Sequence, residues 1–262
     1  MDHLLAAVAS SNWRHHLALR GSMPLKAWFG DKARAPYDLE FVVTPSRWRP
    51  HDSPAQRMCE EIPARAAELA AAGTVRIRPG PWYRPDSAQP GRDRGSAELR
   101  IAVEWECAGV GSSNLAIVFA FGEDLLTPPI DIEIPRLGRP GPPATLAAAD
   151  QPLSLAWKLR KLSAPGHITG NDLFDAVLLA EHCAVSSRTL QTYVLEGDTD
   201  TRGLSAGFLA HLARRLEHVD WYDFAEEYPL LESARAEFAD RLIRALSSDR
   251  SGSGGCRGAG GG

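Results

Sequence analysis

The segment Pro135-Arg-Leu-Gly-Arg-Pro-Gly-Pro-Pro143 limits what can run through the middle of this chain. Prolines remove backbone donors and fix φ, so neither a helix nor a central strand passes through such a stretch. The texture differs on its two sides. Before it come apolar runs that alternate or are rich in β-branched residues. After it come only helical periodicities. The sequence therefore predicts an α+β chain in parts: a mixed-sheet domain over 1–134, a Pro/Gly-rich linker over 135–149, an α-helical domain over 150–250, and a disordered Gly-rich tail over 251–262.

In the front part, a helix is expected over 3–20, broken by Gly21-Ser22, with a short amphipathic piece from Pro24 to Phe29. Asp38-Leu-Glu-Phe-Val-Val43 reads as a strand between Pro36 and Pro45. A helix over 54–72 ends at Gly73, and Val75–Arg78 is a short strand. Residues 79–96 read as a loop, followed by strands at Leu99–Cys107, Leu115–Phe121 and Ile130–Ile134. Gly109-Val-Gly-Ser112 has the character of a hairpin connection. In the back part, helices are expected near 150–163, 171–184, 186–196, 204–217, 220–227 and 229–247.

Composition excludes several classes. With 44% hydrophobic and 24% charged residues, the chain is neither disordered nor a coiled coil. The longest apolar run, Leu115–Phe121, is too short to span a bilayer, and the start of the sequence lacks signal-peptide character. The four cysteines at 59, 107, 183 and 256 have no zinc spacing, so reduced thiols and a cytoplasmic location are expected. Residues 1–100 carry 15 Lys+Arg against 11 Asp+Glu, whereas residues 101–262 carry 14 against 22. A basic front half suits an anionic ligand, although ordinary surface charge gives the same count.

Four clusters can carry chemistry. Gly21-Ser22 is a turn that can offer backbone N–H groups and a hydroxyl to a phosphate. Asp38 and Glu40, two apart on a strand, share a face, where two carboxylates suit a hard divalent cation. Asp131 and Glu133 repeat that pattern, so Asp131 is a candidate third ligand; the wet side of a sheet reads the same way. Beyond the linker, Lys158 lies on an amphipathic helix, and Asp172 and Asp175 share a face of the next one. A first-turn acid such as Asp172 also favours a helix N-terminus without any chemistry.

In this order the clusters resemble the nucleotidyltransferases of the DNA polymerase β superfamily, and more closely the AbiEii/AbiGii toxin family. The stretch Leu17–Gly30 is similar to the family's φ-x-G-G/S opening, and Arg34-Ala-Pro-Tyr-Asp38-Leu-Glu40-Phe to its Arg-x-x-x-Asp-φ-Asp-φ strand. Leu155-Ala-Trp-Lys158-Leu resembles Leu-Ala-x-Lys-φ, and Asp172-Leu-Phe-Asp175 resembles Arg-Asp-φ-x-Asp. Glu40 stands where the family usually has Asp, and Asn171 stands in place of a basic residue.

The resemblance implies a polymerase β-like front domain and transfer of a nucleoside monophosphate from an NTP, with release of pyrophosphate. Asp38, Glu40 and Asp131 would hold Mg²⁺ or Mn²⁺, and Asp131 would also accept the proton of the attacking hydroxyl. Gly21 and Ser22 would cradle the triphosphate, and Lys158 would neutralise phosphate charge. Arg34 would touch phosphate or pair with Asp38. Asp172 and Asp175 would orient Lys158 or contact the nucleotide, in a cleft between the domains. The acceptor would be an RNA, such as the tRNA 3′ end, in a toxin–antitoxin or phage-defence system with a cognate antitoxin and no membrane role. Arginines 76, 78, 84, 92, 94 and 100, with Trp82 and Tyr83, would track that RNA. Two other readings stay open: the same fold acting on a small-molecule or protein hydroxyl, and a non-catalytic nucleotide-binding relative.

Overall fold

A computed structural model describes residues 1–83, 97–138, 141–183, 187–195 and 206–248. They divide into two compact units. One is Met1–Asp150 with Ala164–Gly166, and the other is Gln151–Ser163 with the described residues from His167 onward. The expected tail at 251–262 lies outside the described residues.

The first unit is built on one seven-stranded sheet, ordered β3-β4-β5-β2-β1-β7-β6. Its strands are β1 (Leu17–Arg20), β2 (Asp38–Val43), β3 (Val75–Tyr83), β4 (Ala97–Cys107), β5 (Gly111–Phe121), β6 (Ile130–Ile134) and β7 (Ala144–Ala148). Three helices flank it: α1 (Asp2–Ala9), α2 (Ser22–Phe29) and α3 (Ser53–Ala71). The pairing is mixed, with β2 antiparallel to β1 but parallel to β5, and β1 parallel to β7.

Strand alternation decides which face does what. Leu39 and Phe41 of β2, Ile101 of β4 and Phe119 of β5 turn to a core filled by Leu4, Leu5 and Val8 of α1 and Met58 and Ile62 of α3. The Phe41 and Phe119 rings stack there, 6.0 Å apart. In α3, Ala55, Met58, Cys59, Ile62 and Ala66 are buried at helical spacing, so that stripe seals the sheet. The opposite face of β2 carries Asp38, Glu40 and the buried Val42.

Three expectations change. The helix expected over 3–20 ends at Ala9, and Leu17–Arg20 is a strand. Ser10 Oγ donates to the Ala6 carbonyl at 2.8 Å and Ser11 Oγ to the Val8 carbonyl at 2.9 Å, which ends the helix locally. A short apolar run such as Leu-Ala-Leu does not distinguish helix from buried strand. The segment expected as a linker over 135–149 contains β7, which lies between β1 and β6. Ala-Thr-Leu-Ala-Ala has little intrinsic strand preference, so its neighbours impose the conformation. Strand β3 runs on to Tyr83 despite Pro79 and Pro81, because it is an edge strand and its pairing shifts between Pro79 and Trp82. The Gly109–Ser112 turn does join β4 to β5, with Cys107 facing Gly111.

The second unit is helical: α4 (Gln151–Ser163), α5 (Gly170–His182), α6 (Ser187–Leu195), α7 (Ala206–Leu216), α8 (Tyr222–Glu227) and α9 (Arg235–Ser247). Helix α5 packs on α4 and α9, and Phe174, Trp221, Phe224, Tyr228 and Phe238 form an aromatic cluster beside it. Between 229 and 234 only a 3-10 turn, Pro229–Leu231, replaces the start of the expected last helix. No described helix is long and apolar enough to cross a membrane.

Candidate functional site

The polar face of the sheet gathers charge by register. Tyr83 of β3 faces Arg100 of β4, Arg100 faces Val118 of β5, Val118 faces Glu40 of β2, and Glu40 faces Arg20 of β1. Directly paired residues point to one side, so this row crosses five strands on one face. Asp38 lies on the same face of β2, one pleat from Glu40.

The turn after β1 sits against this row. Gly21 has φ 78° and immediately precedes α2. A Cβ there would fall 2.7 Å from Glu40 Oε1, the end of a side chain that can turn aside, so it is the positive φ that demands glycine. Ser22 is only 3% exposed, and its Oγ is buried without a hydrogen-bond partner. An orphaned hydroxyl at the start of a helix, beside a glycine turn, is well suited to accept a phosphate.

Two arginines of the row are held by carboxylates outside the Asp38–Glu40 pair. Arg20 Nη1 donates to Glu123 Oε2 at 2.5 Å, while its Nε stands 3.4 Å from Glu40 Oε2. Arg100 Nε donates to Glu98 Oε1 at 2.6 Å. Burial alone would lower the Arg20 pKa, but Glu123, Glu40 and Glu98 outweigh it and hold the guanidinium above its ordinary value. Arg100 is raised in the same way, against its burial, by its hydrogen bond to Glu98 and by the charges of Glu98, Asp38 and Glu40.

Asp131 does not join this cluster. It is exposed on the edge strand β6, opposite Ala147 of β7. Three strand spacings separate β6 from β2, or about 14 Å. The expectation of a third ligand there is corrected: the acid alternation of β6 is the wet side of an edge strand. Among the described residues no group of three or more His, Cys, Asp or Glu could hold a metal ion. Arg34 donates to the Ala35 carbonyl at 3.3 Å and is half-buried.

The second unit carries a separate charged cluster. Lys158 Nζ on α4 lies 3.2 Å from Asp172 Oδ1 and 2.9 Å from Asp175 Oδ2, both on α5. Lys161 Nζ is 2.8 Å from Asp172 Oδ2, and Thr169 Oγ1 donates to the same oxygen at 2.9 Å. Asp175 is fully buried and Asp172 nearly so. Burial would raise the Asp172 pKa, but Lys158 and Lys161 hold it well below the usual carboxylate range. The structure thus brings Lys158, Asp172 and Asp175 together, with Lys161 and Thr169 as partners that sequence reasoning did not assign.

Sequence reasoning also missed Arg20, Glu98 and Glu123 as members of the sheet cluster. For Glu98 a signal existed: Glu98-Leu-Arg100 continues the alternation of β4 one residue before the expected strand start. For Glu123, two residues past β5, no local signal existed.

A mixed sheet bearing an acid pair and a glycine–serine turn defines a class, the nucleotidyltransferases. MenT4, a nucleotidyltransferase toxin from Mycobacterium tuberculosis H37Rv, has the same fold, with a TM-score of 0.59 at 17% identity over 94% of this chain and 80% of that one. No curated protein matches the sequence. The model of the family described as "Nucleotidyl transferase AbiEii toxin, Type IV TA system" matches residues 3–248, and the chain belongs to that family. It is a nucleotidyltransferase toxin of a type IV toxin–antitoxin system, an enzyme that transfers nucleotides from NTP and has an antitoxin as partner.

Proposed function

We propose that the chain transfers a nucleoside monophosphate to an RNA hydroxyl, with the tRNA 3′ end as the acceptor, in the cytoplasm, and that this stops translation during phage defence. The observation that carries this reading is the Gly21–Ser22 turn beside Asp38 and Glu40 on one face of the sheet. In this reading the first unit is the nucleotidyltransferase domain and the second is its helical companion.

The residues fit a divalent metal. Mg²⁺ is commonly held by one or two carboxylates together with substrate phosphates, and Asp38 and Glu40 supply that pair. Such an ion would offset charge on the attacking and leaving oxygens of phosphoryl transfer. Gly21 and Ser22 bind the triphosphate through backbone N–H groups and the free hydroxyl. Arg34 contacts phosphate, and within the second unit Asp172 and Asp175 hold the Lys158 ammonium in place. The acceptor oxygen bonds to the α-phosphorus as the bond to pyrophosphate breaks, and the hydroxyl proton passes to a carboxylate of the Asp38–Glu40 pair.

For the acceptor, Tyr83 is 50% exposed in the same row as Glu40, whereas Trp82, 44% exposed, pairs with Ile101 and points to the opposite face of the sheet. Arg76 and Arg78 line a polar groove of about 380 Å³ farther along β3–β5, with Glu104, Glu106 and Asn114. Stacking on exposed rings and arginine contact to the backbone are the general means of holding single-stranded RNA. Arginines 84, 92 and 94 lie outside the described residues.

The test is a transfer assay with Mg²⁺, each labelled NTP and total tRNA, with Asp38→Ala as control. Label on tRNA that vanishes in the variant supports the reading. NTP consumption without labelled tRNA would move the acceptor to a protein or small-molecule hydroxyl.

A further inference from the structure

The Arg20 guanidinium stands between two carboxylates that are not equivalent. Glu123 holds it at 2.5 Å and Glu40 at 3.4 Å. The tighter partner is also the more buried, with side-chain exposure of 17% for Glu123 against 30% for Glu40. Glu40 Oε1 meanwhile lies against the Gly21 backbone, where the triphosphate is proposed to bind. An arginine keeps its charge at every accessible pH, so it competes permanently with any cation for a neighbouring carboxylate. Were Glu40 the main partner of Arg20, turning Glu40 toward a metal ion would strand a nearly buried guanidinium, since Arg20 is only 11% exposed.

Glu123 removes that conflict. The same arrangement recurs across the row, where Glu98 holds Arg100 at 2.6 Å. Arg20 and Arg100 each have their shortest ion pair with a carboxylate outside the Asp38–Glu40 pair.

We propose that Glu123 is a positioning residue: it holds and neutralises Arg20, so that Glu40 is free to take the divalent cation. This rests on the proposed metal role of Asp38 and Glu40. Glu123 does not itself touch the metal or the nucleotide.

The test is Mn²⁺ binding to the full chain without NTP, followed by electron paramagnetic resonance, with thermal melting to verify folding. In Glu123→Gln, Arg20 turns to Glu40, and Mn²⁺ binds about tenfold more weakly, the usual size of an outer-shell effect. In the double variant Arg20→Met with Glu123→Gln, the competitor is gone and affinity returns to within about twofold of wild type. Arg20→Met alone binds Mn²⁺ at least as tightly as wild type, which keeps the test valid if Glu123→Gln does not fold. An unchanged affinity in Glu123→Gln, a double variant that stays weak, or a large loss in Arg20→Met alone each overturns the proposal. Asp38→Asn separates the two levels: if it retains wild-type Mn²⁺ affinity, the metal site itself is misplaced. If it loses Mn²⁺ while Glu123→Gln does not, only the role of Glu123 fails.

Discussion

Ser22 and Asp38 are single residues whose replacement separates folding from function. Asp38 shares its face of β2 with the like charge of Glu40, so its removal costs the fold little. Asp38→Ala should lower transfer by at least about a hundredfold while leaving the melting temperature within a few degrees of wild type. Ser22 Oγ is buried without a partner, so Ser22→Ala should leave stability equal or slightly higher while raising the KM for NTP. Steady-state kinetics together with melting curves would show both effects. Gly21→Ala is different, because a positive φ strains any residue with a Cβ and so costs stability as well. These candidates were legible in sequence because Gly-Ser and Asp-x-Glu need only local spacing. Asp131 looked equivalent to Asp38 by the same local rule, and the rule carries no information about which strands become neighbours.

Among the elements, β7 and the α4–α5 pair are the most instructive. Leu146 is 3% exposed in a strand that sequence places in a linker. Leu146→Ala should therefore cost about 2–4 kcal/mol in urea unfolding, where a linker position would cost almost nothing. Between α4 and α5, Lys158 is the shared partner of Asp172 and Asp175, so Lys158→Met should destabilise the chain by about 3–5 kcal/mol. The pH dependence follows from Asp172, whose carboxyl is held below its ordinary range. A group lowered in the folded state contributes stability that is fully present above its unfolded value, near pH 4, and is lost as pH falls toward its folded value. Unfolding free energy should decline below about pH 4, and Asp172→Asn should flatten that decline. Helix periodicity made α4 and α5 visible in the sequence. The ion pairs between them were not, because pairing across two helices depends on their packing.

At the scale of the whole molecule, the net charge of −4 gives no general attraction to RNA, so acceptor binding must come from a local surface. Arg78→Gln should weaken tRNA binding without changing NTP turnover in the absence of tRNA, and should lower the salt dependence by about one unit of slope. Binding titrations at several salt concentrations would decide this. By itself the sequence determined the two textures of the chain, most of its strands and helices, and the residue types of the candidate chemistry, because periodicity, prolines and short spacings act locally. The tertiary structure alone decided that β1 and β7 are strands within the sheet, that Asp131 stands on a distant edge, and that Glu98 and Glu123 hold the arginines beside Asp38 and Glu40. Those facts depend on strand order and register, which bring together residues as far apart in the chain as Arg20 and Glu123.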